Sequence, residues 1–410
     1  MPHRCASKAA ITFFLAAGSW LLAHSPGSAQ EEALVTEFGT PFKPLDAVLS
    51  KARPRIEIDG RVPGEEPRYY RLRIRVENPD SETWTIVVRS PVGQILTAFD
   101  QSEQACESEA GCWTRRLTSR LPVVQVSTLS TAVRAEVLDG LYMPSKPEKT
   151  FYSPMQGSRD ELITGLSFTN REEKVMMQSL ADNLGMLVGS GPKADGELAN
   201  WCCSGVRLTS DLFMTNWHCG AAPKMPDDAH WRPGICHSGI VDMSWDGDDE
   251  SREFSCQNVE FKDKALDVAI LRLSPIADGP ALTRPLLQPS LSTRPVADGD
   301  RLFVLHHPAC APKSVTRGCS VMKGGVATWT APAQAGAATE FSHNCSTENG
   351  SSGGPVYSAD ARLVGLHHLG VSPMRLEPGN FAVDLSSILD KIRHEDHTLL
   401  EEITGSNQER

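Results

Sequence analysis

Gly350-Ser351-Ser352-Gly353-Gly354-Pro355 sets a serine among glycines just before a proline. Glycines let a backbone turn tightly and aim N–H groups inward, where a Cβ would obstruct the path. A serine hydroxyl is a poor nucleophile, so it needs a base and a site for the developing negative charge. The turn offers the second of these. The base and its orienting group have to come from elsewhere.

Two upstream segments supply them. Leu212-Phe213-Met214-Thr215-Asn216-Trp217-His218-Cys219 reads as an apolar strand running into a histidine. Leu266-Asp267-Val268-Ala269-Ile270-Leu271-Arg272-Leu273 reads as an aspartate opening a buried β-run. Taken singly, such residues are a core histidine, a strand-end cap and a loop serine. In the order His, Asp, Ser, with several strands' worth of chain between them, they have a mechanical meaning that no piece has alone. His218 takes the hydroxyl proton, Asp267 fixes the imidazole tautomer, and Ser352 attacks.

From about residue 185 to 393 the chain resembles the chymotrypsin-like serine endopeptidases, in particular the bacterial branch that includes glutamyl and lysyl endopeptidases. The resemblance implies two antiparallel β-barrels with the active site between them. It implies a Cys203–Cys219 bridge behind the catalytic histidine, worth on the order of 3 kcal/mol in the chain-entropy view. It also implies an oxyanion hole built from the N–H groups of Gly350 and Ser352. Ser351 stands where trypsin-like zymogens carry an aspartate, so the ion pair to a freed amino terminus is not expected. For substrate, the resemblance puts Thr347 and His367 at the positions that bind an acidic side chain in glutamyl endopeptidases. His368 matches a histidine similarly placed in the lysyl enzymes. Neighbouring strand residues point to opposite sides, so only one histidine of the pair is expected to line the pocket. An acidic side-chain preference is expected.

The other end of the chain speaks of export. Residues 1–29 carry basic Arg4 and Lys8, an apolar run, and Pro26-Gly27-Ser28-Ala29. That is the form of a signal peptide cut after Ala29, too short to span a bilayer. A secreted or periplasmic chain follows, with no membrane span expected. Removing Cys5 from the 11 cysteines leaves an even number for an oxidising compartment. Cys106 with Cys112 and Cys319 with Cys345 are expected to pair across a short loop and a hairpin. Cys202, Cys236, Cys256 and Cys310 remain, with Cys236–Cys256 favoured. No C-x-x-C knuckle suggests zinc, and the adjacent pairs His306-His307 and His367-His368 diverge on strands. The acidic run Asp246-Gly247-Asp248-Asp249-Glu250 could bind calcium, but a solvated loop has the same composition. No cofactor or metal is expected.

At 410 residues the chain exceeds one ordinary domain. Residues 38–142 hold period-two runs such as Tyr69-Tyr70-Arg71-Leu72-Arg73-Ile74-Arg75-Val76, separated by turn signals. They predict an all-β domain of sandwich type, serving as a propeptide, a binding module or packing. Residues 143–184 read as a connector, partly helical. Val175, Met176, Leu180, Leu184 and Leu187 share one helical face behind a Thr169/Glu172 capping box. The Gly/Pro/Asp-rich stretch 189–196 reads as a boundary, with Arg171, Lys174 and Lys193 as possible processing sites. The protease unit extends over 185–395, ending in a strand and a closing helix, and 396–410 reads as a flexible tail.

A formal charge of −11 disfavours nucleic acid and anionic membranes as partners. Protein or peptide substrates fit, and oligomeric state is not written in the sequence. The competing reading is a catalytically dead protease fold acting as a binding or adhesion protein. Loss of a triad residue is the usual mark of that fate, and none is lost.

Overall fold

The computed structural model describes residues 36–37, 39–59, 67–117, 119, 121–144, 152–153, 159–163, 171–246, 252–276, 288–327, 338–370 and 379–405. The leader at 1–29, Thr169 of the capping box, residues 247–250 of the acidic run and the tail beyond 405 lie outside them.

Two antiparallel sheets each close into a barrel. In the first, Leu198–Arg207 pairs with Leu184–Pro192, and the path continues through Ile240–Asp242, Glu253–Asp263, Val268–Pro275 and Leu212–Thr215 back to Leu198–Arg207. In the second, Ser314–Ala327, Arg301–His306, Pro355–Ser358, Arg362–Gly370, Asn380–Asp384 and Ala338–His343 form the same kind of ring. Closure removes the exposed edges that an open sheet would present. Alternation along each strand fills each barrel with side chains such as Phe213, Val241 and Leu271, or Val304, Phe341 and Val356. A third apolar cluster joins the barrels, with Leu212, Met214 and Ile270 meeting Leu305, Leu366 and Val383. The architecture is the expected double barrel.

The stretch 189–196 is not a boundary. Residues 184–192 and 198–207 form the opening hairpin of the first barrel, with Lys193–Gly196 as its turn. A glycine is needed at 189 because a Cβ there would lie 2.4 Å from the Trp201 ring. Lys193 thus sits in a turn inside the first barrel, not in a linker between domains. The connector is also partly barrel: Arg159–Leu162 adds a strand beside Ser314–Ala327. Its helix spans Arg171–Ala181 and buries Met177, Leu180 and Ala181, whereas Val175 is exposed and Leu184 and Leu187 belong to the strand that follows. The predicted flexible tail is corrected too. His397–Gly405 is a helix that buries Leu399, Leu400 and Ile403 on the core shared with the closing helix Leu385–Glu395.

Before the barrels, two sheets face each other as a sandwich. One contains Pro67–Glu77 and Arg134–Pro144, the other Trp84–Arg89 and Val123–Thr128. Tyr70, Leu72, Ile74 and Val76 point into its core, as their alternation predicts. The arginines between them point the other way, and that face meets protein. Arg71 is fully buried against Glu253 and lies 3.3 Å from Asp242, both on the first barrel. Arg116 reaches the same two carboxylates, and the Trp113 indole donates to the Ser238 carbonyl. Burial pushes the Asp242 carboxyl up, but Arg116 and Arg71 outweigh it and hold the group below its usual range. Arg71→Ala should lower unfolding stability by about 3–5 kcal/mol, because two carboxylates would stay buried with one partner fewer. Urea denaturation checks this, and a change under 1 kcal/mol would contradict it.

Candidate active site

The junction of the barrels gathers the residues singled out by sequence. His218 follows the strand Leu212–Thr215 in the short turn Trp217–Gly220. Asp267 immediately precedes Val268–Pro275, a strand paired with Leu212–Thr215, so barrel register brings the two together. Their contact is two-point. The His218 backbone N–H donates to Asp267 Oδ1 at 2.9 Å, and His218 Nδ1 donates to Oδ2 at 2.7 Å. Asn216 donates to the Asp267 carbonyl at 2.8 Å, bracing a backbone held at φ 49°. With Nδ1 committed as donor, the neutral ring leaves Nε2 as its basic atom. That atom is buried and has no hydrogen-bond partner among the described residues. Burial raises the Asp267 carboxyl, yet the His218 interaction, then that of His368, holds it well below the usual carboxylate range.

Ser352 comes from the second barrel, on the turn between Thr347–Glu348 and Pro355–Ser358. Its carbonyl accepts the Ser204 N–H at 2.7 Å, tying the turn to the strand that carries Cys203. Gly353 has φ 82°, and a Cβ there would come within 2.1 Å of the Ser204 carbonyl oxygen. No other residue type fits that approach. The Cys203–Cys219 bridge forms behind His218, and Cys202, on the opposite face of the strand, pairs with Cys310. Cys106–Cys112, Cys236–Cys256 and Cys319–Cys345 are joined as expected. Cys203, His218 and Cys219 cluster within reach of a metal ion. Both sulfurs are spent in one disulfide, so the cluster offers no thiolate.

His367 and His368 diverge. His368 donates from Nδ1 to Asp267 Oδ2 at 3.2 Å, while its Nε2 lies 3.4 Å from the buried Glu340 carboxylate. Burial lowers its pKa, but Asp267 and Glu340 win and raise it. His367 turns to His343. The Cys345 N–H donates to His343 Nδ1 at 3.2 Å, so neutral His343 carries its proton on Nε2 and donates to His367 Nδ1 at 3.3 Å. Neutral His367 is thereby left with its own N–H at Nε2. Burial pushes His343 down to about 3 and His367 well below the ordinary range, so both rings are neutral. Thr347 is buried on the short strand leading into the turn, and the His367 backbone pairs with Gly353 and Gly354. Glu340, His343, Asn216 and His306 went unread in the sequence as functional residues. Only a histidine count unusual for one barrel could have flagged two of them.

Residues 203–366 match the family model described as a trypsin-like peptidase domain. With two closed six-stranded barrels, the fold is trypsin-like. No curated protein matches the chain. Among solved structures, the active form of the M. tuberculosis protease Rv3671c is similar at 17% identity, covering 53% of this chain and 82% of its own, with a TM-score of 0.38. The inactive form of Rv3671c covers 54% and 93% at 18% identity and 0.37. The HtrA-type protease AlgW, solved with a tripeptide, covers 54% and 63% at 16% identity and 0.39.

Proposed function

We propose that the protein is an exported serine endopeptidase that cleaves peptide bonds through His218, Asp267 and Ser352. The observation that carries this reading is the two-point hold of Asp267 on His218, at 2.9 and 2.7 Å, beside a glycine-rich serine turn. That hold commits Nδ1 and leaves Nε2 to take a proton. His218 accepts the Ser352 hydroxyl proton as the oxygen attacks the peptide carbonyl, then delivers it to the leaving amine. Asp267 stabilises the imidazolium that forms between the two steps. The N–H groups of Gly350 and Ser352 receive the oxyanion, each worth about 3–4 kcal/mol in the transition state. Water then attacks the acyl-enzyme by the same route. Fluorophosphonate labelling followed by peptide mapping tests the assignment. The tag should sit on Ser352, and a wild type that takes no label would overturn the reading.

The substrate side chain proposed is acidic. His368 donates from Nδ1 to Asp267 and lies against the Glu340 carboxylate, so Thr347 and His367 are taken as the pocket groups. A hydroxyl and a neutral imidazole N–H, its tautomer fixed by His343, suit a carboxylate. Binding one would draw a proton onto His367 and offset the burial that now keeps it neutral. Cleavage of denatured protein should then fall after Glu. His367→Leu should lower kcat/KM on such sites by about 10- to 100-fold, the worth of a hydrogen bond to a charge. Cuts after Lys, or an unchanged profile in the variant, would remove the acidic preference. Export through the leader at 1–29 belongs to the same reading and agrees with the five disulfides.

A further inference from the structure

We propose that His306 is a positioning residue that sets the oxyanion-binding geometry by holding Ser351, a role that rests on the serine-peptidase reading above. Ser351 stands between Gly350 and Ser352, the two residues whose N–H groups are assigned to the oxyanion. A trans peptide points its N–H opposite its own C=O, so the direction of each donor is fixed by whatever holds the carbonyl of the preceding residue. The Ser351 carbonyl, which sets the Ser352 N–H, accepts from Gly354 N–H at 2.8 Å. The Asn349 carbonyl, which sets the Gly350 N–H, accepts from Ala309 N–H at 2.6 Å.

The side chain of Ser351 locks this arrangement. Its Oγ accepts the Glu348 N–H at 3.1 Å and pairs with His306 Nδ1 at 2.7 Å, while its own N–H donates to the Glu348 carbonyl at 3.0 Å. On the far side of the ring, His306 Nε2 meets Thr316 Oγ1 at 3.0 Å, and the Thr316 hydroxyl donates to the Ser346 carbonyl at 2.9 Å. Donor directions follow for a neutral His306 ring. Thr316 spends its proton on Ser346, so it accepts from His306 Nε2–H. Nδ1 is then the acceptor for the Ser351 hydroxyl. The path begins at Glu348 and ends at Ser346, and so clamps the 346–351 loop onto the strands Arg301–His306 and Ser314–Ala327. Ser351, His306, Thr316 and Ser346 are all buried, so water cannot replace a lost link cheaply. His306 and Ala309 lie on one short segment, which therefore steers both donors. A network of hydrogen bonds occupies the place of an ion pair, and the turn needs no freed amino terminus to form.

Ser351→Ala and Thr316→Val in the full-length oxidised chain test this. The substrate is a peptide anilide that the wild type cleaves, chosen from a positional library so that the acidic preference is not assumed. Ser351→Ala should lower kcat by about 10- to 100-fold, part of what a lost oxyanion donor costs, with KM within about threefold. Affinity for a peptide boronate, which mimics the tetrahedral state, should fall in step with kcat. Thr316→Val acts at the far end of the path and should do the same by about 3- to 10-fold. A purely structural role would instead lower the active fraction, leaving kcat per labelled Ser352 unchanged, and that result would overturn the proposal. Unchanged kcat and boronate affinity in both variants would do so as well, while the peptidase reading stood. A wild type that neither hydrolyses nor labels would remove both.

Discussion

Ser352→Ala is expected to lower kcat by on the order of a millionfold, the scale seen when the nucleophile of such a unit is removed. The residual rate over water would come from the oxyanion donors and from substrate binding, which the substitution leaves in place. Folding should survive. The tie between this turn and the first barrel runs through the Ser352 backbone carbonyl, to which Ser204 N–H donates, and alanine keeps that carbonyl. The Gly353 conformation and the Ser351 bonds are also untouched. Initial rates on a peptide anilide, paired with a thermal melt, check both halves. A loss of less than tenfold would mean that another group does the chemistry.

A steep loss of stability in mild acid is the second large effect. Burial pushes His307 down to about 3, with the Ala311 carbonyl failing to compensate, and holds His343 at about 3. His367 lies well below the ordinary value for the same first reason. In the unfolded chain these rings titrate near 6.5. Below that pH the unfolded state binds more protons than the folded one, so stability falls as pH falls, down to the folded pKa. Each ring contributes a slope of about 1.4 kcal/mol per pH unit over that window. His368 behaves oppositely. Its raised pKa adds stability that is fully present below the unfolded value and is lost as pH rises through the folded one, so it leaves the acid slope unchanged. Asp267 joins the loss only below about pH 4, where an unfolded aspartate begins to protonate. Three rings together exhaust a typical stability of about 5–15 kcal/mol within roughly one to four units. Urea midpoints measured from pH 7 to 4 should drop continuously, with His343→Phe flattening the curve by one ring's share. A midpoint constant across that range would refute the account.

Local chemistry explains which parts of the site were legible. A serine among glycines, a histidine at a strand end beside cysteine and an aspartate opening an apolar run each announce a role within a few residues. Divergence of His367 and His368 follows from strand geometry alone. What each then touches does not, because His343 and Glu340 arrive on Ala338–His343, a strand placed by barrel closure. The same holds for Thr316 below His306, set by the pairing of Arg301–His306 with Ser314–Ala327. Arg71 shows another limit: alternation says that it leaves the sandwich core, and only the docked barrel says what covers it. The last helix was missed because Leu399, Leu400 and Ile403 are interrupted by Glu401 and Glu402, leaving too short an apolar stripe to read.

The bridge between Cys202 and Cys310 joins a strand of one barrel to the segment behind Gly350 in the other. The imidazole and carboxylate sit on one side of that crosslink and the hydroxyl on the other. The two halves are thereby covalently tethered at this point, which limits how far they can slide past each other or gape apart.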